Sequence, residues 1–183
     1  LINRCNLVVE GVTKAVSNNV ITPALGDNYI GQAKFLRAIT HFELLAHFAR
    51  PYNFTAGATH PGLPYREVGV DTQAEIDSEA LKGRNTVAEC YAKILDDLTD
   101  AEAKISQTTD KSLATKNAAI AFKTRVNLHK RDWAAVIAEG SKPMTGIALT
   151  ATPEAPFVLA SNLSNTESIF SIKHGAATGQ NPG

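Results

Sequence analysis

Three groups of side chains have types that could do chemistry. His41, Glu43 and His47 place two imidazoles and a carboxylate within seven positions. A helix turns about 100° per residue, so positions two apart point about 200° apart, whereas zinc-binding helices use positions four apart. This spacing reads as packed or solvated histidines, and no metal is expected. Asp96, Asp97 and Asp100 could supply a paired acid and base. Acidic residues so close together read instead as a solvated helix face. No G-x-S-x-G, no Walker A element and no G-x-G-x-x-G occurs, so neither acyl transfer nor nucleotide chemistry is indicated. The expectation is a protein that is not an enzyme and uses no cofactor.

The third group lies between Pro51 and Gly83. Tyr52, Asn53, Phe54, Tyr65 and Arg66 combine aromatic rings with polar and cationic groups. Aromatic faces cover the apolar faces of sugar rings, and Asn or Arg reaches the hydroxyls. These five are the candidate ligand-binding residues. The alternative for Tyr52 and Tyr65 is that their rings pin the loop to neighbouring helices.

The elements that must position this loop are helical. In residues 1–17, Ile2, Cys5, Val9, Val12 and Val16 recur at three- and four-residue steps, an amphipathic helix. A second helix is expected to enter at Gly26-Asp27, with Asp27 as N-cap, and to run to about Arg50, where Pro51 stops it. Its stripe of Phe35, Ile39, Phe42, Ala46 and Ala49 is widened by Leu36, Leu45 and Phe48, so it must be wedged between neighbours. Prolines and glycines break residues 51–83 and leave room for one short helical turn near Gln73–Leu81. A connection this long is usually functional or disordered.

Thr86-Val87-Ala88-Glu89 forms a capping box, and loss of Thr86 should cost about 1 kcal/mol. Behind it Val87, Tyr91, Ile94, Leu98, Ala101 and Ile105 keep a strict apolar spacing. A further helix is expected from about Ser112 to His129, with Ala118, Ala119, Ala121, Phe122, Val126 and Leu128 facing inward. A short one carries Trp133, Val136 and Ile137 up to Gly140, with Trp133 packed between helices. From Thr145 the chain turns irregular, apart from Ser168–Ile172, which reads as a short strand or extended segment against the helices. The fold class is all-α, stacked helical hairpins of tetratricopeptide-like type with long irregular loops. Residues 1–144 would form the core and 145–183 a segment packed upon it.

Hydrophobic residues at 44% and charged ones at 20% describe a globular chain, and 18 basic residues balance 18 acidic ones. With no basic field, nucleic acid is not an expected partner. Arg37 and Arg125 fall near apolar stripes, where an unpaired guanidinium is costly; Asp96, Asp97 or Glu43 is expected to pair with at least one. Cys5 and Cys90 lie on apolar stripes and read as buried free thiols, with a bridge between them as the alternative.

Several segments, in order, resemble the SusD/RagB family of surface nutrient-binding lipoproteins of Bacteroidetes. Ala33-Lys34-Phe35-Leu36-Arg37-Ala38 is similar to the family's Glu-Ala-Lys/Arg-Phe-Leu-Arg-Ala core, with Gln32 standing where the family carries Glu. Ile2-Asn3-Arg4-Cys5-Asn6 resembles its Ile-Asn-x-x-Asn helix, and Gly62-Leu63-Pro64-Tyr65 its G-[IL]-P-[LY] element. Arg84 through Leu98, Ala114 through Trp133, and Asn165 through Ile172 are similar to three further family segments.

The resemblance implies a tetratricopeptide-like scaffold lipid-anchored on the outer face of the outer membrane. It implies capture of an oligosaccharide or polysaccharide and its delivery to a SusC-like TonB-dependent transporter. Members are longer than this chain, so the lipidated cysteine is expected outside it and is neither Cys5 nor Cys90. The alternative function is a helical-repeat adaptor between proteins, with no small ligand.

Overall fold

The computed structural model describes residues 1–106, 108, 110–158 and 165–172. Its α-helices are α1 (Ile2–Ser17), α2 (Pro23–Phe48), α3 (Gln73–Ala80), α4 (Val87–Lys104), α5 (Lys116–Lys130) and α6 (Trp133–Gly140). No strand occurs among the described residues, so the all-α class holds. Neighbours pack in succession, α1 on α2, α2 on α4, α4 on α5 and α5 on α6. The connections α1–α2 and α5–α6 are short enough to make hairpins.

Helix α2 sits between α1 and α4, which is why it is apolar on more than one face. It starts earlier than the expected Asp27 entry: Thr22 is the N-cap, accepting from the Leu25 amide, and Pro23 takes the first helical position. Proline suits that position because its missing N–H has no intrahelical partner there. Helix α4 is what its sequence announces. Thr86 accepts from the Glu89 amide and Glu89 accepts from the Thr86 amide, and all six residues of the expected stripe are buried.

Helix α5 begins at Lys116 under a Thr115 cap, four residues later than expected from Ser112. Ala118, Ala119 and Val126 face the core, but Leu128 is 48% exposed. Trp133 is 57% exposed, so it does not pack between helices as its size suggests. Ser168–Ile172 forms no strand but packs on the helices, bending at Ile169, with the Ser171 amide on the Lys111 carbonyl and the Phe170 ring edge-on to Phe35 at 5.3 Å. Both cysteines are free and buried.

Close approach of α2 and α4 depends on Gly31. A β-carbon there would stand 2.8 Å from Ile105 Cγ1 and 3.1 Å from the Ile105 amide nitrogen. Charges cross the same interface. Arg37 pairs with Asp97 inside the core, whereas the Arg125–Glu43 pair, which joins α5 to α2 at 3.4 Å, is half exposed. Asp97 is therefore a buried partner, not part of a solvated face; Asp96 on the same helix does face solvent.

Candidate functional site

The long connection between α2 and α4 is held at many points, and that anchoring decides which of its residues can meet a ligand. Asn3 and Asn6, one turn apart on α1, clamp its middle. Asn3 exchanges two hydrogen bonds with Val70, at 2.9 and 2.8 Å, and Asn6 donates to the Val68 carbonyl at 2.9 Å. Residues 60–65 run beside 85–87: Gly62 donates to the Asn85 carbonyl at 2.7 Å, Asn85 to Leu63 at 2.9 Å and Val87 to His60 at 2.9 Å. A β-carbon at Gly62 would meet Cys90 Sγ at 2.8 Å and two backbone oxygens near 3.0 Å. Only glycine fits between this segment and α4.

Tyr65 is drawn completely inside. Its ring stacks on His41 with centroids 3.8 Å apart, and its hydroxyl donates to Asp97 Oδ2 at 3.1 Å. Burial and the adjacent Asp97 charge push that phenol well above its ordinary range. His41 accepts from the Arg66 amide through Nε2, at 3.2 Å, so its proton sits on Nδ1 and is donated to the Arg37 carbonyl at 3.0 Å. Desolvation lowers the imidazole to about 4, which keeps it neutral. The Arg66 side chain reaches α3 instead of solvent, binding both the Glu79 backbone carbonyl and its carboxylate.

These contacts sort the five candidates. A side chain with no exposed surface offers no face to a sugar, so Tyr65 drops from the set. Arg66 is engaged by Glu79. Tyr52 is half-buried, edge-on to Tyr91 at 5.0 Å, and takes the pinning role. Asn53 and Phe54 face solvent on the same 3-10 turn, Tyr52–Phe54.

Phe54 opens onto a cleft of about 430 Å³ where α2 ends. Phe48 and Phe54, 68% and 59% exposed, supply its aromatic walls. Arg50, Arg84, His47 and His60 supply its polar lining. The Arg50 guanidinium lies over the Phe54 ring, 5.2 Å from the centroid. Arg84 donates to Gly62 O at 2.6 Å, and to Phe48 O and Pro61 O at 3.3 and 3.4 Å. His60 Nε2 donates to the Arg50 carbonyl at 3.2 Å while its Nδ1 accepts from the Thr55 hydroxyl at 2.9 Å. The lining contains no carboxylate and no hydroxyl or thiol nucleophile. It is equipped to hold a ligand with rings and cations.

Sequence reasoning missed four of these residues and placed Phe48 in the core stripe. Its helical position gives a signal that was available: thirteen steps from Phe35 amount to about 220° of rotation, nearly the opposite face. Two other concavities fit less well. In one of about 590 Å³, buried Lys123 binds Glu102 and Glu139 while Lys142 lies 2.9 Å from both, so the charges satisfy one another. The other, about 610 Å³ between α1 and α2, is lined chiefly by apolar residues such as Val8, Tyr29 and Leu113.

The chain resembles known proteins in both sequence and shape. A protein of Bacteroides vulgatus named for sugar binding superposes with TM-score 0.79 at 26% identity, over 96% of this chain and 39% of that one. A SusD superfamily protein of Bacteroides fragilis gives 0.73 at 25% identity, over 96% and 39%. Another, from Bacteroides thetaiotaomicron, gives 0.70 at 23% identity, over 85% and 33%, a likeness of fold alone. The chain thus spans about two fifths or less of the length of these solved relatives. No curated protein matches it. Residues 1–128, from α1 into the last turn of α5, match the SusD-like family described as starch-binding and associating with the outer membrane, and the chain belongs to that family.

Proposed function

We propose that this chain is the helical core of a cell-surface glycan-binding lipoprotein, and that it captures oligosaccharide without modifying it. The cleft at the end of α2 is the capture site. The observation that carries this reading is the pair of exposed rings, Phe48 at the last residue of α2 and Phe54 on the connection that follows, beside a segment that Arg84, His60 and the 60–65/85–87 hydrogen bonds anchor. An aromatic surface fixed before the ligand arrives loses little entropy on binding. Binding without catalysis is supported by a lining that, among the described residues, brings no carboxylate and no hydroxyl or thiol nucleophile. The anchored protein would pass its ligand to a SusC-like TonB-dependent transporter in the outer membrane, as the family membership implies.

Titration of the full chain against a panel of neutral and charged oligosaccharides tests the reading. Binding that Phe54→Ala weakens about tenfold or more supports it. The open apolar groove between α1 and α2 favours a second reading, an adaptor that binds only proteins. Failure to bind any glycan on the panel selects that second reading.

A further inference from the structure

We propose that the cleft at the end of α2 selects an acidic sugar, a glycan unit carrying a carboxylate or sulfate group. This rests on the glycan-capture reading and names its ligand class. The chain as a whole is neutral, with 18 basic and 18 acidic residues, so a one-signed cleft does not follow from bulk charge. Yet two arginines and two histidines line this cleft and, among the described residues, no acidic side chain does.

Elsewhere cations meet carboxylates: Lys34 with Asp100, Arg37 with Asp97, Arg66 with Glu79 and Lys93 with Glu67. Glu43, the last acidic residue of α2, is held by Arg125. Arg84 contacts only backbone carbonyls, and the Arg50 guanidinium makes no ion pair or hydrogen bond among the described residues.

Hydrogen-bond type points the same way. Sugar hydroxyls both donate and accept, so a neutral sugar needs acceptors as well as donors around it. Guanidinium groups only donate. Three carbonyls at this cleft already accept from its own cations and imidazole, Phe48 O and Pro61 O from Arg84 and Arg50 O from His60. The two guanidinium groups match a group that only accepts, a carboxylate or sulfate, and arginine binds such groups through charge-assisted, often two-pronged, hydrogen bonds. The α2 dipole places partial negative charge at this end of the helix. Arg84, donating to the Phe48 carbonyl, offsets it. Phe48 and Phe54 then cover the ring that bears the acid.

The test is calorimetric titration of the full chain with tetragalacturonate, its fully methyl-esterified form, a sulfated carrageenan tetrasaccharide, maltotetraose and hexaglutamate. The expected result is that at least one acidic sugar binds about tenfold or more tighter than the ester and maltotetraose. That binding should weaken as salt is raised, and Arg50→Gln should erase the preference. The arm that binds tells carboxylate from sulfate. The Arg50 side chain holds no backbone, so the variant should keep the parent's far-UV circular dichroism. Equal affinity for maltotetraose, or a preference that survives Arg50→Gln, overturns the acidic-sugar inference and leaves glycan capture standing. Hexaglutamate binding as tightly as the sugars also overturns it, in favour of an acidic peptide. No sugar binding at all overturns both.

Discussion

Arg37 on α2 grips Asp97 on α4 with two parallel hydrogen bonds, Nε to Oδ2 and Nη2 to Oδ1, each 2.7 Å long. Both side chains are buried, and both have further partners: Asn6 accepts from Arg37 at 2.9 Å, and Tyr65 donates to Asp97 at 3.1 Å. One ion pair therefore ties together α1, α2, α4 and the long loop. Removing Asp97 leaves the buried Arg37 guanidinium without its counter-ion, which costs about 3–5 kcal/mol. Asp97→Ala should lose that much in urea denaturation, and Arg37→Met with Asp97→Leu should recover most of it. A single-variant loss under about 1 kcal/mol would contradict this account of the pair.

His41 makes stability depend on pH in a predictable direction. The folded protein holds the imidazole at about 4, chiefly by desolvation; the unfolded chain protonates it near 6.5. The contribution is complete above pH 6.5 and is lost as pH falls toward 4, because the unfolded state then binds the extra proton. The slope is about 1.4 kcal/mol per pH unit, or about 2 kcal/mol between pH 7 and pH 5. Urea midpoints across that range check it, with His41→Gln as the control whose curve should be flatter.

Gly31 tests the closeness of α2 and α4. Gly31→Ala raises helix propensity but puts a methyl group 2.8 Å from Ile105 Cγ1. Overpacking of this kind costs about 1–3 kcal/mol, against a propensity gain of about 1 kcal/mol. A net loss in melting temperature is expected. A more stable Gly31→Ala protein would mean that the interface has room to spare.

Phe54 and Tyr65 should separate binding from stability. Phe54→Ala removes an exposed ring and should cut glycan affinity with a melting temperature close to that of the parent. Tyr65→Phe keeps the buried ring and deletes one hydrogen bond to a carboxylate, worth about 1.5–3 kcal/mol, with affinity unchanged. Paired thermal melts and glycan titrations of the two variants check both halves.

Helix α4 and its cap could be read directly from the sequence, because helix periodicity and capping depend on residues three and four apart. The same locality explains where reading stopped. Thr22-Pro23 is as good a local start as Asp27, and the earlier turn also places Gly26 against Val16 of α1. The five loop candidates had suitable chemistry, but nothing local tells an aromatic that stacks on His41 from one that faces water.

Local spacing determined which segments are helices and which face each offers, and the ordered motifs marked the family. The tertiary structure alone decided that Asp97 is a buried counter-ion, that Tyr65 belongs to the core, and that Phe48, Phe54, Arg50 and Arg84 share a cleft. The decisive partners, Arg37 with Asp97, His41 with Tyr65 and Phe48 with Arg84, are tens of positions apart. Those relations are set by which surfaces α1, α2 and α4 bury together, a property of the assembled interior that no short window of sequence contains.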